Sequence, residues 1–94
     1  MITLIVKIDV VHDRYFDFVD DCRTASRRAL NTEPQCRAFT VNKDADNENG
    51  IILVEMYDNQ EALDFHKTTE HFLKWREIAN QLTYTRTVTR YESI

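Results

Sequence analysis

Residues 51–57 read IILVEMY, a run with large apolar side chains on both alternating faces. Ile52, Val54 and Met56 share one parity. Ile51, Leu53 and Tyr57 share the other, where Glu55 interrupts them. A strand has period two, so this run presents apolar surface to both sides of its sheet. It is preceded by the polar turn Asp44-Ala45-Asp46-Asn47-Glu48-Asn49-Gly50, whose Asn49-Gly50 is a hairpin signal, and by a strand at about Cys36–Asn42 with Arg37, Phe39 and Val41 on one parity. It is followed by Asp58 and Glu61, spaced as a capping box for a short helix through Ala62, Leu63 and Phe65 to about His66.

The remaining elements are legible from the same local patterns. ITLIVKIDVV, residues 2–11, alternates with Ile2, Leu4, Val6, Ile8 and Val10 on one face and a mixed set, including Ile5 and Val11, on the other. Asp13 offers an N-cap for a helix to about Asn31, with Tyr15, Phe18, Val19, Cys22, Ala25, Ser26, Ala29 and Leu30 as its buried stripe. Pro34 stops it, because the residue before a proline disfavours the helical region. Thr68 or Thr69 caps a further helix with Phe72, Trp75, Ala79 and Leu82 inward, and Thr83–Glu92 reads as a final strand. The order is β-α-β-β-α-α-β: a single domain over residues 1–94, α+β and ferredoxin-like, with an antiparallel four-stranded sheet and helices on one face.

That architecture covers one sheet face and leaves the other to water, where two-faced strands do not belong. Burial of the second face against another copy resolves the conflict, so the sequence predicts a homodimer packed sheet to sheet.

Composition narrows the chemistry. One glycine in 94 residues excludes glycine-rich phosphate loops. A net charge of −4, with scattered arginines, argues against a nucleic-acid partner. No apolar run approaches the length of a membrane span and no signal peptide is evident, so a cytoplasmic protein without a membrane partner is expected. Cys22 and Cys36 lack metal-ligand or redox spacing and read as buried thiols. The polar residues that remain are Glu55, on an apolar strand, and His66 and His71, which straddle a helix break. His66 and His71 do not have zinc-type spacing, so no metal is expected. An apolar cavity holding imidazole and carboxylate suits proton abstraction from a small acidic molecule, or its binding.

Two stretches carry a family resemblance. Glu33-Pro34-Gln35-Cys36 resembles the E-P-G-C segment of the antibiotic biosynthesis monooxygenase family. Glu55-Met56-Tyr57, followed by Ala62-Leu63-Asp64-Phe65-His66-Lys67-Thr68-Thr69-Glu70-His71-Phe72, is similar to its E-x-Y…A-L-x-x-H-x-x-T-x-H-F signature. Gln35 replaces the usual Gly and Glu70 the usual Pro. The resemblance implies a dimeric α+β barrel and, in some members, oxidation of quinols or aromatic phenols by O₂ with no cofactor. It points to His66 or His71 as base, Glu55 as orienter, and Tyr57, Phe72 and Trp75 as the aromatic wall against a small aromatic substrate. Two alternatives stay open: an acid/base isomerase of a phosphorylated quorum-signal-like compound, with Lys67, Arg86 or Arg90 toward the phosphate, and a non-enzymatic ligand-binding dimer. Haem-degrading relatives carry a strand-one Asn; here Lys7 and Asp9 stand at the polar positions.

Overall fold

The structure, a computed structural model, describes all of residues 1–94. The elements in chain order are β1 (Ile2–Val10), a short 3-10 turn (His12–Arg14), α1 (Tyr15–Thr32), β2 (Cys36–Lys43), β3 (Gly50–Tyr57), α2 (Gln60–His66), α3 (Glu70–Leu82) and β4 (Thr83–Glu92). The strands form one antiparallel sheet in the order β2-β3-β1-β4, the ferredoxin-like arrangement expected. No helix is long and apolar enough to cross a membrane.

The register decides which parity meets the helices. Leu4 pairs with Glu55 and Val6 with Leu53, so the even residues of β1 and the odd residues of β3 share the covered face. Ile8, Val10, Ile51, Leu53 and Tyr57 are essentially inaccessible there, packed against Phe18, Cys22 and Ala29 of α1 and Ala79 of α3. Ile5, Ile52, Val54 and Met56 form the opposite face and are only half-buried, which is the uncovered apolar surface the two-faced strands implied.

Five local expectations need correction. α1 does not start on an Asp13 cap; the chain enters through the 3-10 turn, and Arg14, at the N-cap, makes no side-chain cap bond. Leu30, placed on the buried stripe, is exposed, and the buried face at this end of α1 runs through Ser26 and Ala29 instead. α2 is capped by Asn59, whose side chain accepts from the Ala62 N–H, and not by Asp58. Asp58 is engaged by Arg37, which donates Nε and a terminal nitrogen to its two oxygens at 2.6 and 2.8 Å, a bidentate pairing. Arg37 itself leaves the Phe39–Val41 parity because the β2–β3 register slips between Cys36 and Ala38.

The fifth concerns Gly50. The hairpin exists, but Gly50 has no positive φ, so Asn49-Gly50 is not a tight primed turn. The loop is closed by Asp44 N–H to Gly50 O (3.2 Å) and Gly50 N–H to Asn47 O (2.9 Å). Glycine is needed for close approach: a Cβ here would lie 2.7 Å from the Cβ of Asp44.

Candidate active site

Pro34 sets the first piece of the site. It forces Glu33 out of the helix into an extended conformation (φ −109°, ψ 101°), while the Glu33 N–H still closes α1 on Ala29 O at 2.9 Å. The carboxylate therefore turns inward and is 97% buried, toward the junction of α2 and α3. That junction is held by Thr69, which donates its hydroxyl to His66 O at 2.7 Å and accepts the Phe72 N–H at 3.2 Å. The expected Thr cap thus also presents the two histidines on either side of the break.

Both imidazoles reach Glu33. His66 Nδ1 lies 2.9 and 3.0 Å from its two oxygens, and His71 Nε2 lies 2.5 Å from Oε2. With Nδ1–H donating to the carboxylate, the lone pair of His66 sits on Nε2. Burial holds the His66 pKa below its usual range, partly offset by Glu33, so the ring is neutral at neutral pH. Phe72, Tyr57 and Phe39 surround it, with ring centroids 5.1, 5.1 and 6.1 Å away. The sequence places Glu33 in a helix stop and in the family-like Glu33–Cys36 segment, with no role at the site. The signal that could have marked it was a carboxylate placed directly before the proline of the family-like segment.

On the other side of His66, Nε2 is 3.9 Å from Glu55 Oε1. That is too long for a hydrogen bond, but one hydroxyl oxygen about 2.7 Å from each atom would bridge the gap. Glu55 also accepts the Tyr57 hydroxyl at 2.6 Å. Burial pushes the Glu55 pKa up to about 7, with the Tyr57 hydrogen bond opposing the rise.

A cavity of about 320 Å³ opens between β1 and β4 on one side and α2 and α3 on the other. Leu4, Val6, Val88, Leu63, Phe72 and Trp75 supply its apolar wall, and Glu55 and His66 its polar end. A narrow extension of about 20 Å³ continues past Glu55, His66, Phe72 and Trp75 toward Phe39 and Leu53. Of the six residues singled out in the sequence, Glu55, His66, Phe72 and Trp75 meet at this cavity. Tyr57 is fully buried behind Glu55, so it is the donor to that carboxyl group rather than a wall residue. His71 borders a separate cleft with Asp21, Arg28 and Lys74, and its reach to the cavity runs through Glu33.

A Glu33 oxygen, His66 Nδ1 and His71 Nε2 lie within 4.8 Å of one another, a donor set that a metal ion can use. Each nitrogen is already at hydrogen-bond distance from Glu33, so the geometry on hand is one carboxylate shared by two imidazoles. The thiols are free and buried, and burial raises both to about 12, which leaves them unreactive as nucleophiles.

A ferredoxin-like sheet with a cavity that ends in a neutral imidazole, itself anchored on a buried carboxylate, defines a small α+β domain with acid and base groups at an apolar pocket. The family model for antibiotic biosynthesis monooxygenase matches residues 1–78, and the chain belongs to that family. Among solved structures, it is similar to a Nitrosomonas europaea protein whose name assigns it provisionally to these monooxygenases (25% identity, 100% of this chain and 99% of that one, TM-score 0.92). A Bacteroides thetaiotaomicron protein of unknown function (21% identity, 98% and 96% covered, TM-score 0.91) has the same fold. So does a Mycobacterium tuberculosis protein (21% identity, 99% and 94% covered, TM-score 0.90). No curated protein matches the chain significantly.

Proposed function

We propose that the protein is a cofactor-independent monooxygenase that oxidises a hydroxylated aromatic of one or two rings with O₂. The observation that carries this reading is the neutral His66 Nε2, directed past Glu55 at the apolar cavity and anchored through Nδ1 on Glu33. About 320 Å³ is at the lower end of small-molecule sites, which span roughly 300–1,000 Å³. A phenolic hydroxyl bridging Glu55 and His66 loses its proton to Nε2, and Glu33 stabilises the imidazolium that forms. His71 holds Glu33 in place as its second donor. The phenolate is electron-rich enough to reduce O₂ itself. One oxygen atom enters the ring, the other leaves as water, and the substrate supplies all four electrons. For a hydroquinone, QH₂ plus O₂ becomes the hydroxyquinone plus water, so no external reductant is required. The enzyme supplies deprotonation and confinement.

An oxygen electrode tests this with hydroquinone and naphthohydroquinone substrates. Substrate-dependent uptake that falls at least ~100-fold in His66→Ala is expected for loss of a general base. No uptake across the panel, or uptake unchanged in the variant, overturns the reading.

The working unit in this reading is a homodimer packed through Ile5, Ile52, Val54 and Met56. These side chains are already half-buried, so each gains a fraction of the about 1.5–3 kcal/mol that full burial of an exposed one brings. Sedimentation that finds a folded monomer at micromolar concentration rejects it. Two free buried thiols support a cytoplasmic location.

A further inference from the structure

Four of the twelve Lys and Arg residues of this acidic chain line the one cavity that holds His66: Lys67, Arg76, Arg86 and Arg90. Their placement follows from the fold. Arg86 and Arg90 pair with Ile8 and Leu4 of β1, so the antiparallel register puts them on the helix side of β4 together with Val88. Arg76 comes from α3, one turn after Phe72, and Lys67 from the residue that ends α2. No carboxylate lies within ion-pair distance of Lys67, Arg76 or Arg86; Arg90 alone has one, the exposed Glu92 at 3.6 Å.

The guanidinium groups are also posed against the aromatic wall. Arg76 lies over Phe72 at 5.6 Å and Arg86 over Trp75 at 5.9 Å. Arg86 donates to Asn80 Oδ1 at 2.7 Å, and Arg90 donates to Gln60 Oε1. Neutral amide acceptors orient an arginine without cancelling its charge. Opposing them, the carboxyl group of Glu55 is the only acid of the lining, and burial favours its neutral form. Excess positive charge beside an apolar wall attracts anions, and a planar arginine pairs with a carboxylate or phosphate by parallel N–H donors.

We propose that the ligand is an aromatic molecule bearing a fixed negative charge, a carboxylate or phosphate on the ring system, held at the β4 side of the cavity by Arg86 and Arg90 while its hydroxyl meets His66. This deepens the functional reading above and rests on the same cavity. It predicts selection by charge at a site whose apolar wall accepts the ring in either case.

Trp75, the only tryptophan, lines the cavity and also borders the cleft beside His71, so its fluorescence reports ligand binding and the Arg86→Gln/Arg90→Gln variant assigns the signal to the cavity. Anaerobic titrations compare 1,4-dihydroxynaphthalene, 1,4-dihydroxy-2-naphthoate and 4-hydroxy-1-naphthyl phosphate, with calorimetry as a check. At low ionic strength at least one anionic ligand is expected to bind ten-fold or more tighter than the neutral one, and 0.5 M salt is expected to shrink that margin. The stronger anion distinguishes carboxylate from phosphate. Arg86→Gln with Arg90→Gln is expected to weaken the anionic ligands at least ten-fold more than the neutral one, which removes the preference. Equal affinity for all three, or no binding below millimolar, overturns the proposal. The titrations contain no O₂: charge preference without oxygen uptake in the aerobic assay rejects the monooxygenase reading and retains the anion site. Oxygen uptake with no charge preference does the reverse.

Discussion

Tyr57 donates its hydroxyl to Glu55 at 2.6 Å from two residues along the same buried strand face. The contact satisfies both groups, but burial still holds the Glu55 pKa at about 7 against an ordinary 4.5. The native state therefore binds a proton that the unfolded chain has released between those pH values. Stability from this group is full below pH 4.5 and is lost as pH rises to about 7, by up to about 3 kcal/mol. His66 acts in the opposite direction: its depressed pKa makes protonation below its ordinary 6.5 destabilising. Urea unfolding from pH 5 to 8.5 is expected to show a smaller alkaline loss in Glu55→Gln, whose amide oxygen still accepts from Tyr57. An equal loss in both proteins removes Glu55 as the cause.

Glu33→Gln tests the shared carboxylate. A glutamine has one acceptor oxygen where two imidazoles require partners, and its NH₂ must then face one of them. A loss of about 1–3 kcal/mol in unfolding free energy is expected from the unmatched buried group. A variant as stable as the parent shows that the two histidines do not depend on Glu33.

Chelation addresses the donor set formed by Glu33, His66 and His71. Overnight dialysis against a strong chelator is expected to leave oxygen uptake and melting temperature unchanged, since the three groups are already paired with each other. Loss of either on dialysis, with recovery on adding iron(II) or zinc, places a metal between them instead.

Gly50→Ala forces a methyl group to 2.7 Å from the Cβ of Asp44, too close for the β2–β3 loop to keep its shape. Backbone adjustment there is expected to cost about 1–3 kcal/mol by thermal denaturation. Because φ at Gly50 is not positive, the penalty is one of space. The double change with Asp44→Gly is expected to recover part of it, and no recovery rejects steric crowding as the cause.

The thiols give a simple check of burial. Cys22 and Cys36 are expected to react with an aromatic disulfide reagent at pH 8 orders of magnitude more slowly in the native protein than in guanidinium. Rapid native labelling of Cys22 would contradict its packing beneath Trp75, whose indole N–H points at its sulfur at 3.3 Å.

The strands, the three helices and their order were legible because each rests on a period of two or 3.6 and on end signals a few residues away, such as Thr69 before Phe72 or Pro34 after Glu33. The pair Glu55 and His66 was legible as polar chemistry in apolar surroundings. Where one short-range signal competed with another, the reading slipped. Asp58 and Asn59 both suit a cap, and only Arg37, 21 residues from Asp58 in sequence, decided between them. Composition and pattern alone determined the fold class, the apolar surface on both sheet faces and the lack of a glycine-rich phosphate loop. Tertiary structure decided which face of β3 meets the helices, and so that Tyr57 is buried and Ile52 is not. It also brought Glu33 to His66 and His71 across 33 and 38 residues, and gathered Arg86 and Arg90 onto the cavity side of β4. Those outcomes depend on strand register and helix packing, which join residues distant in sequence and leave no local pattern to read.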